Sequence, residues 1–121
     1  MTPRAIVRAD SVFETVLGVV LVVGAATSVL GGGDFPSPVG TVLVLLVGCA
    51  LLPVGALLWR LARGPVPGGL LRTLATANVA TVAAVLSWYL AVDGFSSAGS
   101  AVAIATAAAL ALLAAAQLRA S

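Results

Sequence analysis

The chain has 121 residues, of which 61% are hydrophobic and 8% are charged, with six basic residues, four acidic residues and a net charge of +2. Its mean hydropathy of +1.20 leaves no room for a soluble domain and predicts a single transmembrane domain over residues 1–121. Histidine is absent, the basic residues are all arginine, and Cys49 is the only cysteine, so we expect no metal site, no cofactor, no catalytic residues and no enzyme activity.

Four apolar stretches set the predicted architecture. They cover residues 12–30, 39–59, 70–92 and 100–118, and each has about the 20 residues that a helix needs to cross a bilayer. The short connections predict an all-α, integral membrane four-helix bundle made of two antiparallel transmembrane hairpins. All arginines flank the same ends of these stretches, at Arg4, Arg8, Arg60, Arg63, Arg72 and Arg119. Because cytoplasmic loops carry the arginine excess, we expect cytoplasmic N and C termini.

The source and compartment are also predicted from composition. The use of arginine alone as the basic residue, together with abundant alanine, valine, glycine and leucine, is typical of a bacterial protein. We therefore expect a multi-pass protein of the bacterial inner (cytoplasmic) membrane. Nucleic acid is not an expected partner, since the arginines are spaced by helices and do not form a basic patch.

The first helix carries the only glutamate of the chain. Its start at residue 12 is predicted from a capping box in which Ser11 and Glu14 satisfy each other's backbone N–H groups. Glu14 has three interpretations: a helix cap, a partner of an arginine on the same side, or a coupling carboxylate within the membrane. Arg4 and Arg8 before an apolar run also fit a cleaved signal peptide, which would leave three spans.

The second helix contains a proline in its interior. Pro53 removes a backbone donor and clashes with the carbonyl four residues earlier, which predicts a kink near Cys49. We expect Cys49 itself to be a small packed residue. Trp59 ends this helix and is predicted to anchor it at the inner membrane interface.

The third helix carries the most informative amide. Asn78 lies near its middle, with Thr76 and Thr81 close by, and a buried amide needs a polar partner. We consider these residues, with Glu14, the candidate polar or ligand-binding site; hydrogen bonding between helices is the simpler alternative for Asn78. Trp88 and Tyr89 are predicted anchors at the outer interface.

The fourth helix is rich in alanine. Small residues recur every four positions and predict a face for close helix packing, at Gly99, Ala103, Ala107, Ala111 and Ala115. Besides the lipid bilayer, the expected partner is a second copy of the chain or another membrane protein that packs on such small-residue faces. Gln117 near the helix end is given no further role.

Two functions follow from these features. The first is a packing, accessory or assembly subunit that catalyses nothing. In size, in its four spans and in its single Glu14, the chain also resembles the small multidrug resistance exporters. This resemblance implies the alternative function, a small homodimeric proton-coupled transporter that uses Glu14. The one-sided arginines depart from the dual insertion of some members of that family.

Overall fold

The structure, a computed structural model, describes residues 2–27, 30, 34–36 and 39–121. It is all-helical over these residues, and four helices follow each other along the chain. They are α1 Pro3–Ala26, α2 Val39–Leu61, α3 Gly68–Ala91 and α4 Ser97–Ala120. The helices α1 and α2 pack as one hairpin and α3 and α4 as a second, with further contacts between α1 and α4. The predicted all-helical fold with four helices is confirmed.

Three of these helices are long and apolar enough to cross a membrane. They are α2 over its part Gly40–Leu61, α3 and α4, with mean hydropathies of 2.6, 1.5 and 2.1. The helix α1 carries four charged residues, Arg4, Arg8, Asp10 and Glu14, and is not among the three. We refer below to the arginine end and the aspartate end of the molecule, because the six arginines and the Asp34 and Asp93 connections lie at opposite ends of the helices.

The first helix begins nine residues earlier than predicted. Thr2 is its N-cap and accepts a hydrogen bond from the Ala5 N–H at 3.1 Å, and Pro3 occupies the first turn. Proline fits there because a helix leaves its first N–H groups unbonded. The predicted capping box is therefore wrong, since Ser11 and Glu14 lie inside the helix and are buried. The helix ends at Ala26, and residues 28 and 29 of the predicted span lie outside the described residues.

Glycines allow α1 and α2 to approach closely. Gly18 and Gly48 face each other, and a Cβ on either would lie 3.1 Å from the other's carbonyl oxygen. About two turns along, the Ser11 hydroxyl donates to the Gly55 carbonyl at 2.6 Å. The helix α2 runs through Pro53 without interruption. Cys49 is exposed, so its predicted packing is wrong: it lies next to the buried Gly48 and therefore points away from the contact.

Three of the five positions in the predicted small-residue face of α4 pack within the chain. Gly99, Ala103 and Ala107 are buried, but Ala111 and Ala115 are exposed. A helix has 3.6 residues per turn, so every step of four residues rotates the position by about 40°. The buried face therefore leaves the row of fours after Ala107 and continues through Leu110, Ala114 and Gln117.

Two apolar clusters close the ends of the molecule. The cluster at the arginine end consists of Ile6, Val7, Leu58, Ala62 and Leu71. The cluster at the aspartate end is built on Leu21, Phe35 and Val44, with Trp88 and Phe95 packed against it. Between them lies the part of the interior that carries the polar residues.

Candidate functional site

A buried polar cluster connects three helices close to the arginine end. Asp10 of α1 and Gln117 of α4 are both 0% exposed, and Asn78 of α3 is 4% exposed. The Asn78 amide donates to Asp10 Oδ2 at 3.1 Å and to Gln117 Oε1 at 3.0 Å. The Gln117 amide also donates to Asp10 Oδ2. These bonds make Asn78 an interhelical residue, as its simpler interpretation expects.

Glu14 extends this cluster toward the middle of the molecule. It lies four residues after Asp10, on the same buried face of α1 and close to the midpoint of that 24-residue helix. The carboxyl groups of Asp10 and Glu14 are neighbours. One oxygen of each, Asp10 Oδ1 and Glu14 Oε2, is buried and accepts no hydrogen bond.

The two carboxyl groups have no cationic partner among the residues that the structure describes. No arginine lies within ion-pair distance of Asp10 or Glu14 there. The interpretation of Glu14 as an arginine partner is therefore not realised in this part of the chain. A carboxylate buried without a counter-charge is costly, so a proton or a bound cation would stabilise the pair.

A cavity of about 320 Å³ begins at Glu14 and Asn78 and continues toward the aspartate end. Its walls come from all four helices and are almost entirely apolar, and they include Leu17, Leu21, Val44, Leu51, Val85, Val102 and Leu110. Thr81 and Thr106 add hydroxyl groups to the wall. A cavity of this size accommodates a small organic molecule.

Aromatic rings close the cavity at the aspartate end. Phe35 and Trp88 both line it, and their rings are stacked with centroids 6.0 Å apart. Phe95 packs edge-on against Trp88 at 4.7 Å and against Tyr89 at 5.1 Å. The Glu14 end of the cavity favours positive charge, and the opposite end is aromatic.

The other predicted site residues lie in different parts of the molecule. Thr76 is exposed and donates to its own helix at the Arg72 carbonyl, 2.9 Å away. Thr81 donates to the Ala77 carbonyl at 2.8 Å but lines the cavity. Trp59 is 43% exposed at the arginine end. Trp88 and Tyr89, predicted as membrane anchors, are half-buried and belong to the aromatic cluster.

Sequence reasoning missed two residues of the polar cluster. The sequence analysis predicts no site role for Asp10, and it treats Gln117 only as a residue near a helix end. Two signals were present: Thr2-Pro3 is a helix start that places Asp10 and Glu14 on one face, and Gln117 follows Leu110 and Ala114 at helical spacing. The first signal can be used only when the start of α1 is known, and the second only when the buried face of α4 is known.

Comparison of the chain with protein-family models, with characterised proteins and with solved structures finds no match. The interpretation of the site therefore depends on its geometry.

Proposed function

We propose that this protein is a small multi-spanning membrane protein that binds a lipophilic cation between its two hairpins and exchanges it for a proton. The observation that carries this proposal is the position of Glu14. This carboxylate is only 8% exposed and lies on the wall of an almost entirely apolar cavity. A carboxylate in such a place selects positive charge, and the apolar walls select a hydrophobic molecule.

Membrane insertion is part of the proposal. We infer that α1 crosses the membrane together with α2, α3 and α4, because it forms a tight hairpin with α2 and its charged residues either lie near the arginine end or face inward. The arginine end then lies in the cytoplasm, with both termini. The proposed compartment is the inner membrane of a bacterium.

Proton exchange is supported by the pairing of two carboxyl groups. Asp10 and Glu14 each have one oxygen without a hydrogen-bond donor. A proton held between them would satisfy both oxygens, and a bound cation would replace that proton. Lower pH therefore favours the protonated, cation-free state, and the site releases its cation as the pH falls.

Binding can be measured with benzyltriethylammonium on the purified full-length protein in neutral detergent. Trp88 lines the cavity, so its fluorescence in a Trp59→Phe background reports occupancy. We expect Glu14→Gln to weaken binding at least about tenfold and to reduce its pH dependence, since only the Asp10 carboxyl then remains. Asp93→Asn, which neutralises an exposed carboxylate, is the matched control and should bind normally.

Two outcomes would contradict the proposal. One is equal affinity of Glu14→Gln and the unaltered protein for the cation. The other is equal affinity for an uncharged isostere in which carbon replaces the quaternary nitrogen. Uptake of the cation into proteoliposomes with an imposed pH gradient then separates transport from binding alone.

The second candidate function is a packing, accessory or assembly subunit. It is favoured by an outward face of α4 made mainly of small residues, which are Ala101, Ala105, Ala108 and Ala115 around Leu112. Such a face lets another helix approach closely, and contact between helices is what holds them together in lipid. A stable hetero-complex that forms equally well with Glu14→Gln and survives detergent extraction would favour this candidate.

A further inference from the structure

A second groove lies on the α1–α2 hairpin, separate from the cation cavity. It has a volume of about 520 Å³ and is lined by Ser11, Val12, Thr15, Val16, Leu52, Gly55, Ala56, Trp59 and Arg60. Its floor is the close contact where the Ser11 hydroxyl donates to Gly55. Val12 and Val16 are 51% and 56% exposed, so the groove is open along an apolar side.

Two rows of side chains at helical spacing form the groove and end in arginine. On α1 the row Val16, Val12 and Arg8 runs toward the arginine end, and on α2 the row Leu52, Ala56 and Arg60 runs in the same direction. Residues four apart on a helix are neighbours on its surface. Because the helices are antiparallel, Arg60, which lines the groove, and Arg8, one turn beyond its lining, lie toward the same end.

Trp59 stands at this end. The Arg8 guanidinium lies 5.7 Å from the centre of its ring, and Arg60 lines the groove beside it. Neither arginine forms an ion pair among the described residues, and both are exposed. Along the helix axis, the groove therefore begins as an apolar channel, continues to the amphipathic ring of Trp59 and ends at two arginines without an ion pair among the described residues.

We propose that this groove binds one anionic phospholipid, with an acyl chain along Val12, Val16 and Ala56 and the phosphate between Arg8 and Arg60. Guanidinium groups bind phosphate oxygens through paired N–H donors. Tryptophan prefers the headgroup level of a membrane, and arginines at the cytoplasmic surface attract anionic lipids. The proposal requires membrane insertion but is independent of cation binding at Glu14.

The test compares lipids and arginine pairs on the delipidated full-length protein. Native mass spectrometry measures binding of dioleoylphosphatidylglycerol and of the neutral dioleoylphosphatidylcholine. We expect a preference of roughly tenfold or more for the anionic lipid, which Arg8→Gln with Arg60→Gln abolishes. Arg72→Gln with Arg119→Gln removes the same charge from the same end of the other hairpin and should keep the preference.

A second variant tests the apolar part of the groove. Ala56 is exposed, so Ala56→Phe should fold normally and fill the channel, which reduces binding of the anionic lipid. If both arginine-pair variants lose the preference for the anionic lipid equally, the proposal is overturned, because the lipid is then attracted by the total positive charge of this end and not by the groove. Displacement of the lipid by soluble glycerol phosphate would also overturn it, because the acyl chain would then contribute nothing.

Discussion

Among the residues that the structure describes, Asp10 is held by amide groups and not by a cation. Its Oδ2 accepts from Asn78 and from Gln117, which belong to two other helices. Hydrogen bonds to an ionised acceptor stabilise more than bonds between neutral groups, and loss of either amide removes one of the two bonds that Asp10 Oδ2 accepts. The two amides therefore determine whether this carboxyl group is tolerated inside the protein.

The residue-scale prediction concerns Gln117. Gln117→Leu keeps the side-chain volume but removes one donor to Asp10, and we expect it to lower the free energy of unfolding by about 1–2 kcal/mol. Helicity followed by circular dichroism during titration with a denaturing detergent measures the effect. Thr76→Val, at an exposed hydroxyl, is the control and should unfold as the unaltered protein does.

A triple variant identifies the cause. Addition of Asp10→Leu and Asn78→Leu to Gln117→Leu removes the acceptor and both amides together, so no member of the cluster is left without its partner, and this should restore part of the lost stability. If Gln117→Leu unfolds at the same detergent fraction as the unaltered protein, the amide does not stabilise Asp10.

At the scale of elements, the connections at the aspartate end hold the two hairpins together. The Asp34 carbonyl accepts from the Ser96 N–H at 3.0 Å, and the Ser96 hydroxyl donates to the Asp34 carboxylate at 2.6 Å. Ser96 also caps α4 through the Gly99 N–H at 3.0 Å. The Asp34 carbonyl lies so close to Gly99 that a Cβ there would overlap it.

Gly99→Ala should therefore push the start of α4 away from Asp34 and weaken the hydrogen bonds between Asp34 and Ser96. Alanine normally stabilises a helix relative to glycine, but here the overlap involves backbone atoms that cannot rotate away, and we expect a net loss of about 1–3 kcal/mol. Phe35 lies next to Asp34 and stacks on Trp88, so Trp88 fluorescence in a Trp59→Phe background reports the separation.

Gly69→Ala is the matched control for this substitution. Gly69 also lies in the first turn of a helix, and a Cβ there would meet no atom within 4 Å. It should be neutral or slightly stabilising. Equal stability of Gly99→Ala and Gly69→Ala would show that the contact with Asp34 does not constrain α4.

At the scale of the whole molecule, the distribution of charge predicts orientation. The arginines lie at one end of the helices, and Asp34 and Asp93 lie at the other. In a membrane, the arginine end is expected to stay in the cytoplasm. The four charges of α1 make this helix the one whose crossing needs a direct test.

Cysteine labelling on intact bacterial cells supplies that test. Because Cys49 is exposed, the background is Cys49→Ala. We expect an impermeant maleimide to label Asp93→Cys in intact cells, and to label Pro65→Cys and Thr2→Cys only after permeabilisation. Labelling of Pro65→Cys but not of Asp93→Cys in intact cells would invert the orientation. Labelling of Thr2→Cys together with Asp93→Cys in intact cells would place the start of α1 outside, so that α1 does not cross.

The sequence by itself predicted the four helices, because apolar runs of about 20 residues interrupted by Pro65, Pro67 and Asp93 have few other structures available. It also identified Glu14 and Asn78, since lone polar residues in apolar helices are conspicuous. It placed the start of α1 wrongly, because hydropathy marks where a helix becomes apolar and not where its hydrogen bonds begin.

Only the tertiary structure decided which polar residues meet. Asp10 and Gln117 are 107 positions apart, and their contact depends on how two hairpins rotate and pack, which composition does not encode. Rotation of 3.6 residues per turn likewise moved Ala111 and Ala115 outward and Gln117 inward. The list of polar residues was readable from the chain, whereas their assembly beside a cavity required the packing of all four helices.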